Sequence, residues 1–194
     1  MMRLANLALA IGFTVLSIGH AAEPRMETVK FSYGITKIDL TSQGQNAMLV
    51  LGRRENFNAR GFDVLTIYVV ARALPTDRSI WHLVPVFRDE KERLELTASG
   101  GADCLLHDFR LLKTPTKDGV RLIVAARELG QSYAEENNVT FEYYVLKKNS
   151  EGIAGRPLYY FEKSGSSKAK RKYCDVTAAF KEEFGLSEYM SRGN

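Results

Sequence analysis

Histidine and cysteine are scarce in this chain of 194 residues, with three of the first and two of the second. A zinc centre needs several ligands brought together, often at H-x-x-H or H-E-x-x-H spacing. His82 and His107 instead stand singly on apolar runs, Ile80-Trp81-His82-Leu83-Val84 and Leu105-Leu106-His107-Asp108-Phe109, so no metal site is expected. Also absent are a phosphate-cradling P-loop, a dinucleotide glycine fingerprint and a G-x-S-x-G elbow. No cofactor is assigned, and no catalytic residue. Charge of one sign is lacking as well: 27 Lys+Arg against 23 Asp+Glu leave +4, too mild to argue for nucleic acid.

Long hydrophobic runs are limited to one. Arg3 precedes Leu4 to Ile18, fifteen residues broken only by polar Asn6, Thr14 and Ser17. Gly19-His20-Ala21 then places small residues three before and one before a cut after Ala21, the pattern of a secretory signal peptide. A spanning helix needs about 20 apolar residues, so this run reads as a cleaved leader. The expectation is a signal peptide over 1–21, one domain over 22–194, and no membrane span in the mature chain. In a Gram-negative cell the destination is the periplasm. Removing Arg3 lowers the charge from +4 to +3.

What is present reads mostly as strands. Gln45 to Leu51, Phe62 to Arg72, Ser79 to Phe87, Lys91 to Thr97, Leu105 to Lys113, Val120 to Ala126, Val139 to Lys147 and Leu158 to Glu162 are rich in branched and aromatic residues. Arg88-Asp89-Glu90, Pro115 to Gly119 and Asn149 to Gly155 are short, turn-prone links. Such links join antiparallel neighbours and cannot hold a parallel crossover. The fold class is therefore α+β: a predominantly antiparallel sheet built from hairpins, with a C-terminal helix. For that helix Asp175 is the cap, Val176, Ala179, Phe180 and Phe184 form one apolar face, and Gly185 is the stop. A shorter helical piece is expected at Gln131 to Glu136. Lys163 to Lys172 (KSGSSKAKRK) reads as a mobile surface connection.

Both cysteines, Cys104 and Cys174, survive processing, and an even number in an oxidising compartment suggests one disulfide. Cys174 directly precedes the helix cap, so the bridge would pin the helix start to the sheet. Closing a loop of this length stabilises by roughly 4 kcal/mol on the chain-entropy account.

Three local patterns invite chemistry. Ser167-Lys168-Ala169-Lys170 matches the S-x-x-K of penicillin-recognising enzymes, but their S-D-N and K-T-G companions are missing. Asp39 to Ala47 has the outline of a calcium loop, yet Asp39 is its lone carboxylate; it reads as a turn around Gly44. The third stretch, Arg53-Arg54-Glu55-Asn56-Phe57-Asn58-Ala59-Arg60-Gly61-Phe62-Asp63, supports two readings. Arginine forks and asparagines can cradle an anion. Alternatively, the loop is structural, with asparagines capping its own backbone and Glu55 paired with an arginine. An exposed aromatic patch around Phe57, Phe62 and Tyr68 would favour a partner surface, and a deep arginine-lined pocket a small anionic ligand.

The run from Lys37-Ile38-Asp39-Leu40 through Arg53-Arg54-Glu55-Asn56-Phe57-Asn58-Ala59 to Gly61-Phe62-Asp63-Val64 resembles the CarG family of carbapenem self-resistance proteins. Weaker likeness lies in Trp81 to Pro85, Ala125 to Leu129 and Phe141 to Val145. Arg60 stands where the family signature carries histidine. The resemblance implies a periplasmic protein that protects against a β-lactam by binding or sequestration and not by hydrolysis. Its partner would be the carbapenem itself or a second periplasmic resistance protein. On this reading Arg53, Arg54, Asn56, Asn58 and Arg60 are the binding residues. The alternatives are a periplasmic interaction or inhibitor module unrelated to β-lactams and an unrecognised hydrolase.

Overall fold

The computed structural model describes residues 26–42, 44, 46–58, 61–71, 80–114 and 119–190. The leader over 1–21, Arg60 and most of the Pro115 to Gly119 link lie outside them. In chain order the elements are β1 (Glu27–Thr28), β2 (Gly34–Asp39), β3 (Asn46–Arg54), β4 (Phe62–Ala71), β5 (Ile80–Leu83), β6 (Val86–Arg88) and β7 (Lys91–Arg93). They continue as β8 (Leu96–Gly100), β9 (Leu105–Lys113), β10 (Val120–Arg127), β11 (Val139–Lys148), β12 (Tyr159–Lys168) and α1 (Val176–Phe184). The strand order is β2-β3-β4-β8-β9-β10-β11-β12-β6-β7, with β1 on β9 and β5 on β4. The pairings are antiparallel, as the short links require, except for the parallel pair of β12 with β6.

Two strands act as corners that fold this path into two sheets. β8 pairs β4 through Leu96, Thr97 and Ala98, then pairs β9 through Ser99 and Gly100, with a register irregularity between those two. The expected Ser79 to Phe87 strand is likewise split. Pro85 has no N–H to continue a ladder, so β5 stays on β4 while β6 crosses to β12.

The inner face of the first sheet (Leu49, Leu51, Leu65, Ile67, Val69) packs on Phe109, Leu111, Leu122 and Phe161 of the second. The other face of the second sheet offers Leu112, Ile123, Ala125, Val139 and Phe141, which bury Val176, Ala179 and Phe180 of α1. The layers are thus sheet, sheet and helix. Asp175 caps α1 by accepting the Thr177 N–H at 2.6 Å. Gly185, at φ 67°, closes the other end and donates to Lys181 O, a left-handed stop that glycine takes without a Cβ clash. Cys104 and Cys174 are bridged, with Cα atoms 5.6 Å apart, and tie the helix start to the head of β9. Among the described residues no helix is long and apolar enough to cross a membrane.

Three expectations need correction. Lys91 to Thr97 is not one strand: it breaks at Leu94-Glu95, because Lys91–Arg93 closes a hairpin on β6 while Leu96–Gly100 turns to β4 and β9. Lys163 to Lys168 is not a mobile connection; it extends β12, with Gly165 opposite Tyr143 and Lys168 opposite Thr140. The long β11 supplies backbone partners to the end of the segment, across one register shift between Tyr143 and Tyr144, so the pairing needs no apolar side chains from the Ser/Lys-rich segment. Gln131 to Glu136 forms turns instead of a helix. Its groups are taken locally: Tyr133 O accepts from Arg127 and Gln131 N–H donates to the Glu135 carboxylate.

Candidate functional site

The arginine-rich segment starts where β3 ends. Side chains alternate along a strand, so Arg53 turns to the inner face of the first sheet and Arg54 to the outer one. The structure therefore separates two residues that the sequence placed side by side. Arg54 lies over the Phe62 ring at 5.5 Å. Arg53 reaches the Glu55 and Asp63 carboxylates, both at 3.3 Å, and Asp63 also accepts the Tyr33 hydroxyl at 2.9 Å. Burial and the adjoining Asp63 together raise the Tyr33 phenol above its ordinary range. Gly61 makes room for the guanidinium, because a Cβ there would sit 2.7 Å from Arg53 Nη2.

Glu55 closes the loop. Its carboxylate accepts the backbone N–H groups of Asn56 and Phe57, each at 2.9 Å. The Phe57 amide first, then Arg53, hold the Glu55 carboxyl below the usual carboxylate range. This anchoring fixes Phe57 at φ 54°, a left-handed conformation uncommon outside glycine, with its side chain 95% exposed. The structural reading thus accounts for Glu55 and Arg53, while Phe57 is presented outward by the same network. Phe62 and Tyr68 are half-buried on the outer face of the same sheet.

Arg53 and Asn58 meet again in a cavity of about 270 Å³ at the β8 corner. Its other walls come from Gly100 to Ala102, from Asp108 and Arg110 on β9, and from Glu188 to Met190 of the C-terminal tail. It adjoins a broader, shallower groove that shares Arg53, Asp63, Leu105, Tyr189 and Met190 and continues past Tyr33 and Phe31. Of the five expected binding residues, then, Arg53 and Asn58 converge, Asn56 belongs to the turn, Arg54 faces the opposite way, and Arg60 lies outside the described residues.

The strongest polar group of the cavity escaped sequence reasoning. Arg110 is fully buried and pairs with Asp108 at 2.5 Å. Its Nε donates to Ser187 O at 3.0 Å and its Nη1 to Phe109 O at 2.7 Å. The guanidinium also lies over the rings of Phe180 at 4.5 Å and Tyr189 at 5.5 Å. Nη2 has no hydrogen-bond partner among the described residues. Burial pushes the Asp108 carboxyl up, outweighing the opposite pull of Arg110. Two charges flanking Phe109 inside the apolar run Leu105 to Leu112 were the available signal. Asp175 accepts the Leu105 N–H at 3.1 Å, so the disulfide and the helix cap together fix the cavity wall at the head of β9.

Ser167 lies in extended strand at the end of β12, its hydroxyl hydrogen-bonded to that of Tyr143 at 2.5 Å. Lys170 is beyond the strand end and does not sit one helical turn above it. The Asp39 carboxylate is likewise spent locally, accepting the N–H groups of Thr41 at 3.2 Å and Gly44 at 3.0 Å.

The family model described as carbapenem resistance protein CarG-like matches residues 31–182, from the stacked Phe31 to the last turn of α1. This chain belongs to the CarG-like family. The crystal structure of CarG is similar to it, with a TM-score of 0.62 at 21% identity, over 80% of this chain and 94% of that one. At that identity the likeness establishes the CarG-like fold. Comparison with curated proteins returns no match.

Proposed function

We propose that this CarG-like protein is exported to the periplasm and contributes to carbapenem resistance by binding, without hydrolysing the drug. The observation that carries the reading is the convergence of Arg53 and Asn58, both from the family-like segment, with Arg110 around one cavity of about 270 Å³. That volume is near the lower end of small-ligand sites, about 300 to 1,000 Å³. Arginine N–H groups are suited to a ligand carboxylate. Arg53 is already engaged by Glu55 and Asp63, so a bound carboxylate would share it with them, and Arg110 Nη2 is a donor with no acceptor among the described residues. Export is supported by the leader pattern and by the Cys104–Cys174 bridge, which suits an oxidising compartment. A non-hydrolytic role is supported by the extended setting of the S-x-x-K match, which cannot place Lys170 beside Ser167 as that chemistry requires.

The test combines calorimetric titration of the purified mature protein with a carbapenem and survival of expressing cells. Wild type should bind, and Asn58→Ala and Arg53→Ala should weaken binding at least tenfold. Steady loss of the drug's absorbance with catalytic amounts of protein would sink the binding reading. Equal survival with and without the gene would sink the resistance role.

A further inference from the structure

Arg110 lines the cavity, yet its side chain is 0% exposed. A ligand therefore reaches it only if one of its neighbours moves. The guanidinium is planar, with its donors in a fixed fork. One part of the fork is taken, because Nη1 donates to the Asp108 carboxylate and to Phe109 O. The remaining edge consists of Nε and Nη2. It holds a single neutral acceptor, Ser187 O on Nε at 3.0 Å, and Nη2 has no partner among the described residues. A carboxylate can accept from two parallel guanidinium N–H groups at once. The C-terminal tail thus half fills a place that a carboxylate fills completely.

We infer that the tail over 186–190 is a strap: it holds the Ser187 carbonyl on Arg110 where a ligand carboxylate binds, and the ligand displaces it. The surroundings of the guanidinium single out the tail as the part that moves. Asp108 and Phe109 belong to β9, which is laddered to β10. Phe180 belongs to α1, whose start is fixed by the Asp175 cap and the Cys104–Cys174 bridge. The tail follows the Gly185 stop and lies in no strand or helix. Its seat is the Tyr189 ring, stacked with Phe31 at 4.6 Å and Phe109 at 5.2 Å. Tyr189 O also accepts the Phe31 N–H at 3.2 Å. At the rim, Lys30 Nζ donates to Ser187 Oγ at 2.9 Å and to Glu188 O. Since strap and ligand compete for one donor edge, apparent affinity falls with the fraction of chains whose strap is closed. The inference rests on the carboxylate reading of the cavity proposed above, and adds that the resting chain blocks its own anchor.

The experiment uses the mature protein labelled with [methyl-13C]methionine, the Met190 signal being assigned with Met190→Leu. It is titrated with acetate, with chloride at equal ionic strength, and with a carbapenem. Acetate and the carbapenem should shift the Met190 methyl signal, and chloride should not. Lys30→Ala releases the rim of the strap and should tighten both ligands at least threefold. Loss of a cation alone would weaken them, so the sign separates strap release from charge. Ser187→Gly removes the same rim bond without a charge change and should also tighten binding. An acetate response without carbapenem binding would uphold the strap and sink the drug reading. Carbapenem binding that depends on Asn58 but leaves the Met190 signal in place would sink the strap and spare the drug reading. A Met190 signal that no ligand moves, one that chloride moves equally, or weaker binding in both Lys30→Ala and Ser187→Gly would also overturn the inference.

Discussion

The second sheet hides its outer face under α1, whereas no described element packs on the outer face of the first sheet. Both faces are built alike, from strands whose two sides are apolar. β9, β10 and β11 offer Leu112, Ile123 and Phe141 to the helix; β3 and β4 offer Val50, Val64 and Tyr68 to no described element. A disulfide, the Asp175 cap and the buried Asp108–Arg110 pair secure the covered side. The uncovered side has none of these. The same apolar alternation therefore has two outcomes: under the helix it builds core, and on the first sheet it leaves half-buried residues on which no described element packs.

The largest test of this difference is truncation on each side. Phe180 is fully buried against the second sheet, so Phe180→Ala should cost about 3–5 kcal/mol in urea unfolding. Tyr68 is half-buried on the open face, and Tyr68→Ala should cost about 1 kcal/mol or less. Equal losses would mean that the outer face of the first sheet is packed as tightly as the face under α1, and would remove the contrast.

A second test uses two buried carboxyls with opposite pH behaviour. Asp108, under the helix, has its pKa raised by burial despite Arg110. Its folded value lies above its unfolded one, so its contribution is full below the unfolded pKa and is lost as pH rises through the folded pKa. Glu142, on β11, is pushed up by burial, but its hydrogen bonds with Lys163 and Tyr144 and the nearby Arg88 bring it below its ordinary value. Its contribution is present above the unfolded pKa and is lost as pH falls through the depressed one. Stability measured against pH for wild type, Asp108→Asn and Glu142→Gln should show these opposite slopes. Parallel slopes would sink the account of one carboxyl or the other.

The same contrast shows what could be read from the residues alone. Six of the eight expected strand segments, the links Arg88 to Glu90 and Asn149 to Gly155, and the capped terminal helix were legible because apolar spacing and turn residues specify them locally, whereas Ser79 to Phe87 and Lys91 to Thr97 are each broken into two strands and β1 and β2 went unread. The Cys104–Cys174 bridge was legible from compartment and count. Harder to read were the features that depend on tertiary partners. Nothing in KSGSSK announces a strand; β11 imposes it. Pro85 marks a break, but not that β6 changes sheets. In the site, the family-like segment pointed to Arg53 and Asn58, while adjacent position concealed that Arg54 faces the other way. Asp108 and Arg110 were invisible as a pair because strand spacing alone does not reveal burial under a helix and a C-terminal tail.

The smallest expected effect on stability carries the most information about the open side. Phe57 is held in a left-handed conformation by the Glu55 carboxylate, yet its ring touches little, being 95% exposed. For a non-glycine residue that backbone state costs roughly 1–2 kcal/mol, while glycine adopts it without a steric penalty but loses more chain entropy on folding. Phe57→Gly should therefore leave stability unchanged or raise it by up to about 1 kcal/mol. Phe57→Leu should keep the backbone strain and match the wild type in urea unfolding, because neither ring nor branched chain is packed there. A destabilised Phe57→Gly protein would show that the ring packs in the folded chain.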